Sequence, residues 1–156
     1  MIGEKRFLRS IQLRNLLSFG PDTPELELTS LNVLIGPNGS GKSNLIDAIS
    51  LLQAAPQKLM EPIRKGGGIA EWLWKGSRTA PGELTAVVDY RVPDQEWLSH
   101  ELGFDTESQR AQLVHELIGR EDASILLNRG PGGRWSLPTW ADRAPLIGQN
   151  EAVGFE

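Results

Sequence analysis

The sequence predicts an α/β fold in which a strand, a glycine-rich loop and a helix lie beside an antiparallel β-subdomain. Three observations carry that reading. A short apolar run, Leu31–Ile35, ends at Gly36. A stripe of Leu45, Ile46, Ile49 and Leu52 follows the glycines at helical spacing. From residue 83 the pattern changes to period-two alternation punctuated by turns.

The totals set the frame. With 156 residues the chain suffices for one domain with a core. A formal net charge of −4 gives no global pull toward nucleic acid or anionic membrane. There is no cysteine, which excludes disulfides and thiolate metal sites and fits a cytoplasmic protein. His100 and His115 are too few for a histidine-based metal site without carboxylate help. No apolar run follows the start as a signal peptide would require, and no window reaches the roughly 18 apolar residues of a membrane helix.

Each element is argued in chain order. Residues 6–19 alternate in part and predict a strand, with Ile11 and Leu13 on one face. Gly20–Pro24 is a turn cluster, and Glu25–Leu28 is a short return strand, giving a hairpin. Leu31–Ile35 is apolar almost throughout, as a strand buried on both faces would be in a parallel sheet. The helix after the glycines should stop near Ala55, ahead of Pro56. Residues 57–65 suggest a second short helix interrupted by Pro62, and Gly66–Gly68 a loop before Glu71–Trp74. In Glu83–Val92, Leu84, Ala86, Val88, Tyr90 and Val92 share one face of a one-sided antiparallel strand. Trp97–Phe104, Ala111–Ile118, Ser124–Asn128 and Arg134–Leu137 continue as a β-meander, with a turn at Gly130–Gly133. The reading is a single lobe over 1–156, with the hairpin, loop strand and helix in 1–65 and the β-subdomain in 83–137.

The chemistry concentrates in Gly36-Pro37-Asn38-Gly39-Ser40-Gly41-Lys42-Ser43, which matches the P-loop pattern G-x-x-x-x-G-K-[ST]. A polyphosphate needs many donors and close backbone approach, which glycines permit. The helix that follows adds the positive end of its dipole. Lys42 supplies a point charge for the β- and γ-phosphates and is the candidate catalytic residue. The Ser43 hydroxyl is a hard oxygen suited to Mg²⁺. Four fixed positions give roughly one chance match in two hundred chains of this length. The strand-before, helix-after context sharpens the reading further. The pattern implies ATP with Mg²⁺ as ligand. No Asn-Lys-x-Asp base-reading element of a GTPase is present.

The run LNVLIGPNGSGKSNLIDAISLL at 31–52, preceded by IQLRNLLSFG at 11–20, resembles the N-terminal half of SMC/RecF-type ABC ATPase heads. Within these it is most similar to the bacterial "predicted ATPase" group often labelled AAA-type. The resemblance is specific over residues 5–55 and compatible over 66–137. It implies the first lobe of a two-lobe P-loop NTPase head, with the C-terminal lobe absent from this chain. By this resemblance Asn38 belongs to the family's Pro-Asn-Gly form of the loop and Asn44 follows its Lys-Ser pair, while Asn15 and Ser18 match an upstream element lying near the nucleotide; the latter two also suit backbone bonding at a strand end. Leu16 and Leu17 stand where the family usually has an aromatic and a basic residue.

Other parts of the family's site have no clear counterpart. No signature segment is found. Thr85–Tyr90 resembles a Walker B strand only superficially, because Tyr90 takes the position of the catalytic glutamate, and Gln149 is a candidate Q-loop residue. The resemblance implies nucleotide-driven association, as a homodimer or with a chain supplying the other lobe, and leaves DNA association open for the complete protein. It implies weak hydrolysis by this chain alone. Two alternatives stay open: a non-hydrolysing, nucleotide-dependent interaction module, and a small P-loop kinase using Arg64 or Arg78. Asp47, the Trp72–Trp74 pair, the His100-Glu101 and His115-Glu116 dipeptides and the basic group Lys5, Arg6, Arg9 and Arg14 read more readily as structural or solvated than as functional.

Overall fold

A computed structural model describes residues 7–55, 58–76, 81–89, 97–107, 110–120, 125–130 and 135–136. The elements are β1 (Leu8–Arg14), β2 (Leu26–Glu27), α1 (Lys42–Ala54), α2 (Met60–Lys65), α3 (Ile69–Trp72), β3 (Gly82–Asp89), β4 (Trp97–Glu107), β5 (Arg110–Arg120), β6 (Ile125–Arg129) and β7 (Trp135–Ser136). Seven strands form one sheet in the order β2-β1-β3-β4-β5-β6-β7. Every neighbouring pair is antiparallel. The fold is therefore mixed α/β with an antiparallel sheet, as expected.

Alternation decides the sheet's faces. Leu84, Ala86 and Val88 of β3 are buried, and they lie opposite Leu102, His100 and Leu98 of β4. On the other side Leu13 and Ile11 of β1 pair with Leu84 and Ala86. A register shift between Gly103 and Phe104 leaves Val114 as an extra residue on β5. This bulge lets Leu113 and Glu116 share the core face, three positions apart. The helices cover the apolar half of that face. Leu45, Ala48 and Leu51 of α1, Ile63 of α2 and Ile69 and Trp72 of α3 join one core cluster with Ile11, Leu13, Leu84, Leu102 and Phe104.

Pro62 does not interrupt α2. It is the third residue, within the first turn, where the backbone N–H has no helical partner to lose. Lys65, and secondarily Lys58, hold the exposed Glu61 carboxyl below its ordinary range.

Two further expectations need correction. The first is the strand at 31–35. No described strand pairs with it, and Leu31, Val33 and Ile35 are 81%, 74% and 90% exposed. A strand that is apolar on both faces needs cover on both of them, and among the described residues nothing covers Leu31, Val33 or Ile35. The segment is pinned at its start instead, where the Asn32 side chain accepts from Thr29 N–H and donates to Thr29 O. The second is the phase of α1. The inward face is Leu45, Ala48 and Leu51, with Ile49 and Leu52 partly buried, whereas Ile46 is 60% exposed.

Candidate functional site

The loop's conformation follows from its glycines. Gly39 and Gly41 have φ of 83° and 90°, the left-handed region that costs other residues about 1–2 kcal/mol. Gly41 is the N-cap of α1, and no side chain caps that end or adds an acidic charge to its first turn. The first-turn amides are thus left for an anion, with the helix dipole behind them. A Cβ at Gly39 would meet nothing within 4 Å, so this part of the loop lies open.

Lys42 is folded into the loop. Its Nζ donates to the carbonyls of Gly36 at 2.8 Å and Pro37 at 2.7 Å, and lies 3.3 Å from Ser40 Oγ. The ammonium is thereby centred on the loop rather than extended into solvent. Ser43 is exposed at the second position of α1, and Asn44 beside it is half-buried. Gly36, Pro37, Asn38, Gly39 and Ser40 are all exposed.

The upstream pair joins this site through a turn at Asn15–Gly20. Ser18 Oγ lies 2.8 Å from where a Gly41 Cβ would stand, and the Phe19 ring 3.6 Å from it. Asn15 has φ 49° and Leu17 φ 55°, both left-handed without being glycine. The Asn15 Oδ1 is buried with no hydrogen-bond partner among the described residues. Sequence reading found Asn15 and Ser18 only through resemblance. It missed Phe19, and an aromatic directly after the turn serine was the available signal.

The remaining candidates lie elsewhere. Thr85–Asp89 belongs to β3, an antiparallel strand between β1 and β4, and Val88 points into the core. Tyr90, Gln149, Lys5, Arg6 and Arg78 lie outside the described residues. Arg9 stacks over the Trp97 ring at 6.0 Å, and Arg14 and Arg64 are exposed. Asp47 is exposed, with its carbonyl accepting from the Ser50 hydroxyl. The two His-Glu dipeptides pair across strands. His100 meets Glu116 at 2.8 Å on the core face, where Arg129 also holds Glu116, and His115 meets Glu101 at 3.2 Å on the other face.

The donor set suits a polyphosphate: open loop glycines, uncapped helix amides, a lysine at the loop and a hydroxyl at the helix start. Residues 31–123 match the family described as AAA domain, putative AbiEii toxin, Type IV TA system. The chromosome partition protein Smc of Desulfitobacterium hafniense (strain Y51) is 54% identical over 44 residues, 28% of this chain and 4% of that protein. Smc of Synechocystis sp. is 35% identical over 94 residues, 60% and 8% respectively. Smc of Rhodopirellula baltica is 26% identical over 172 residues, 95% and 14%. The chain thus spans a small part of the length of these relatives. A solved structure from work on ATP-driven dimerisation and DNA-stimulated activation of SMC ATPases superposes with a TM-score of 0.47 at 18% identity, over 84% of this chain and 72% of that one. Because the family match runs over more than half of its residues, the chain belongs to this AAA-domain family.

Proposed function

We propose that residues Gly36–Ser43 form a Walker A loop that binds the triphosphate of ATP with Mg²⁺, within a head whose nucleotide cycle drives association of two such sites. The observation that carries this reading is the pair of left-handed glycines running into the uncapped start of α1, with the Lys42 ammonium held at the loop's centre.

The residues then have separable roles. The loop amides and the α1 N-terminus receive the phosphate oxygens. Lys42 exchanges the Gly36 and Pro37 carbonyls for β- and γ-phosphate oxygens, so its three present contacts keep it near its working position. In that position it stabilises the charge that builds on the transferring phosphoryl group. Ser43 would offer one hard oxygen to Mg²⁺, which would supply neutralisation of phosphate charge. Ser18 borders the loop, and Ser18 and Asn15 are proposed to contact the nucleotide.

The exposed run Leu31–Ile35 supports a second lobe, supplied by further chain or by another subunit, that pairs with this segment. Covering Leu31, Val33 and Ile35 is worth about 1.5–3 kcal/mol each, roughly 4–9 kcal/mol together. Hydrolysis is assigned to the completed head, and this chain alone binds ATP with very slow turnover. DNA association, dimerisation and a cytoplasmic location belong to the same proposal; among the described residues no helix is long and apolar enough to cross a membrane.

The test is a titration of ATP with and without Mg²⁺ on the wild type and Lys42→Ala, with phosphate release followed in the same samples. Mg²⁺-dependent binding that Lys42→Ala abolishes, with little release, is expected. Linear turnover above about 1 s⁻¹ by the isolated chain, abolished in Lys42→Ala, would overturn the assignment of hydrolysis to a completed head.

A further inference from the structure

The turn that touches the loop is itself held in place by a segment far along the chain. Asn15 and Leu17 are left-handed, and non-glycine residues keep that conformation only where their surroundings enforce it. The enforcing contacts come from residues 72–74. Leu17 N–H donates to the Trp72 carbonyl, Trp74 N–H donates to the Asn15 carbonyl at 2.9 Å, and Leu16 bridges Leu73. Within the turn, Leu16 N–H donates to Phe19 O at 3.1 Å and Phe19 N–H to Leu16 O at 2.9 Å. The Trp74 ring completes the clamp. It lies 3.3 Å from where a Gly20 Cβ would stand, and a Cβ on Gly76 would collide with the same ring atoms. Leu16 is fully buried beneath these contacts.

From this turn Ser18 Oγ and the Phe19 ring reach Gly41, the residue on which the loop ends and α1 begins. A continuous packed path thus runs from Trp74 through the turn to the loop. We infer that Trp74 is a positioning residue for the phosphate loop: it fixes the strained Asn15–Gly20 turn, and the turn fixes Gly41 and the first turn of α1. The affinity consequence rests on the nucleotide-binding reading given above, whereas the mechanical consequence does not. If releasing the clamp leaves the loop in its binding geometry a tenth of the time, apparent ATP affinity falls about tenfold.

The experiment uses the full chain as wild type, Trp74→Ala, Trp74→Phe and Ser18→Ala, with far-UV circular dichroism confirming the sheet. The first readout needs no nucleotide: amide hydrogen exchange at Leu45, whose N–H donates to Gly41 O at 2.9 Å, against exchange in β4 and β5. Trp74→Ala should speed exchange at Leu45 and leave β4 and β5 unchanged, and Trp74→Phe should restore it. The second readout is Mg-ATP affinity. Trp74→Ala should weaken it about tenfold, and Ser18→Ala, which removes the turn's hydroxyl beside Gly41, should weaken it as well. Should Trp74→Ala not fold, Gly20→Ala disturbs the same contact by crowding it, its Cβ standing 3.3 Å from the ring, and should likewise speed exchange at Leu45. Unchanged exchange at Leu45 in the folded variant would overturn the inference. Absence of ATP binding by the wild type would overturn the functional reading instead, and the exchange result would still decide the coupling.

Discussion

Gly41→Ala separates backbone geometry from packing in the loop when it is compared with Gly39→Ala. Both positions are left-handed, so an alanine at either costs about 1–2 kcal/mol. They differ in room. The added Cβ at Gly39 meets nothing within 4 Å, whereas at Gly41 it stands 2.8 Å from Ser18 Oγ and 3.6 Å from the Phe19 ring. The Ser18 hydroxyl is the end of an exposed side chain and can swing aside, so the packing part sits at the small end of overpacking, about 1 kcal/mol. The expected losses are therefore about 1–2 kcal/mol for Gly39→Ala and about 2–3 kcal/mol for Gly41→Ala. Urea unfolding followed by circular dichroism measures both, and Mg-ATP titration should show the larger loss of affinity for Gly41→Ala. Ser18→Gly placed in the Gly41→Ala background should recover the packing part and leave the backbone part. Equal destabilisation by the two alanines, or no recovery with Ser18→Gly, would refute the claim that the turn braces the loop.

Other expectations follow from burial and pairing. Glu116→Ala removes a buried carboxylate that holds both His100 and Arg129, and should cost about 3–5 kcal/mol by denaturant unfolding. Glu101→Ala breaks the analogous pair with His115 on the exposed face, where the side chains are 39% and 30% exposed, and should cost no more than about 1 kcal/mol. Leu102→Ala, at the centre of the sheet and fully buried, should cost about 2–5 kcal/mol.

Much of the architecture was legible in the residues, and the gaps have physical causes. The alternation of Leu84, Ala86 and Val88 is local and dictated by one covered face, so β3 and its meander could be read directly. The loop was legible because glycine, lysine and serine at fixed spacing leave few other uses. The His-Glu dipeptides read as structural or solvated because neighbours on one strand face opposite ways. Antiparallel register brings His100 to Glu116 and His115 to Glu101 on opposite faces, and register depends on the hairpin and the bulge at Val114, which no local pattern announces. The clamp of residues 72–74 on the Asn15–Gly20 turn was hidden for a similar reason. Its bonds are mostly backbone to backbone, and composition carries no record of them.

The run Leu31–Ile35 is the sharpest conflict between pattern and placement, and the conflict is informative. Its composition suits a strand covered on both faces, yet three of its side chains are at least 74% exposed. Roughly 4–9 kcal/mol of apolar burial is unrealised there, comparable with the 5–15 kcal/mol that stabilises a whole domain. If the run owed its composition to folding of this unit alone, its replacement should weaken the unit. Exposed as it is, Val33→Ser with Ile35→Ser should change unfolding free energy by less than about 0.5 kcal/mol per site. The same pair should lower self-association of the isolated chain in light scattering, and abolish capture of the proposed second lobe when that lobe is added in trans. A large loss of stability in the double variant would place the run inside this unit's own core and remove the argument for a lobe that covers it.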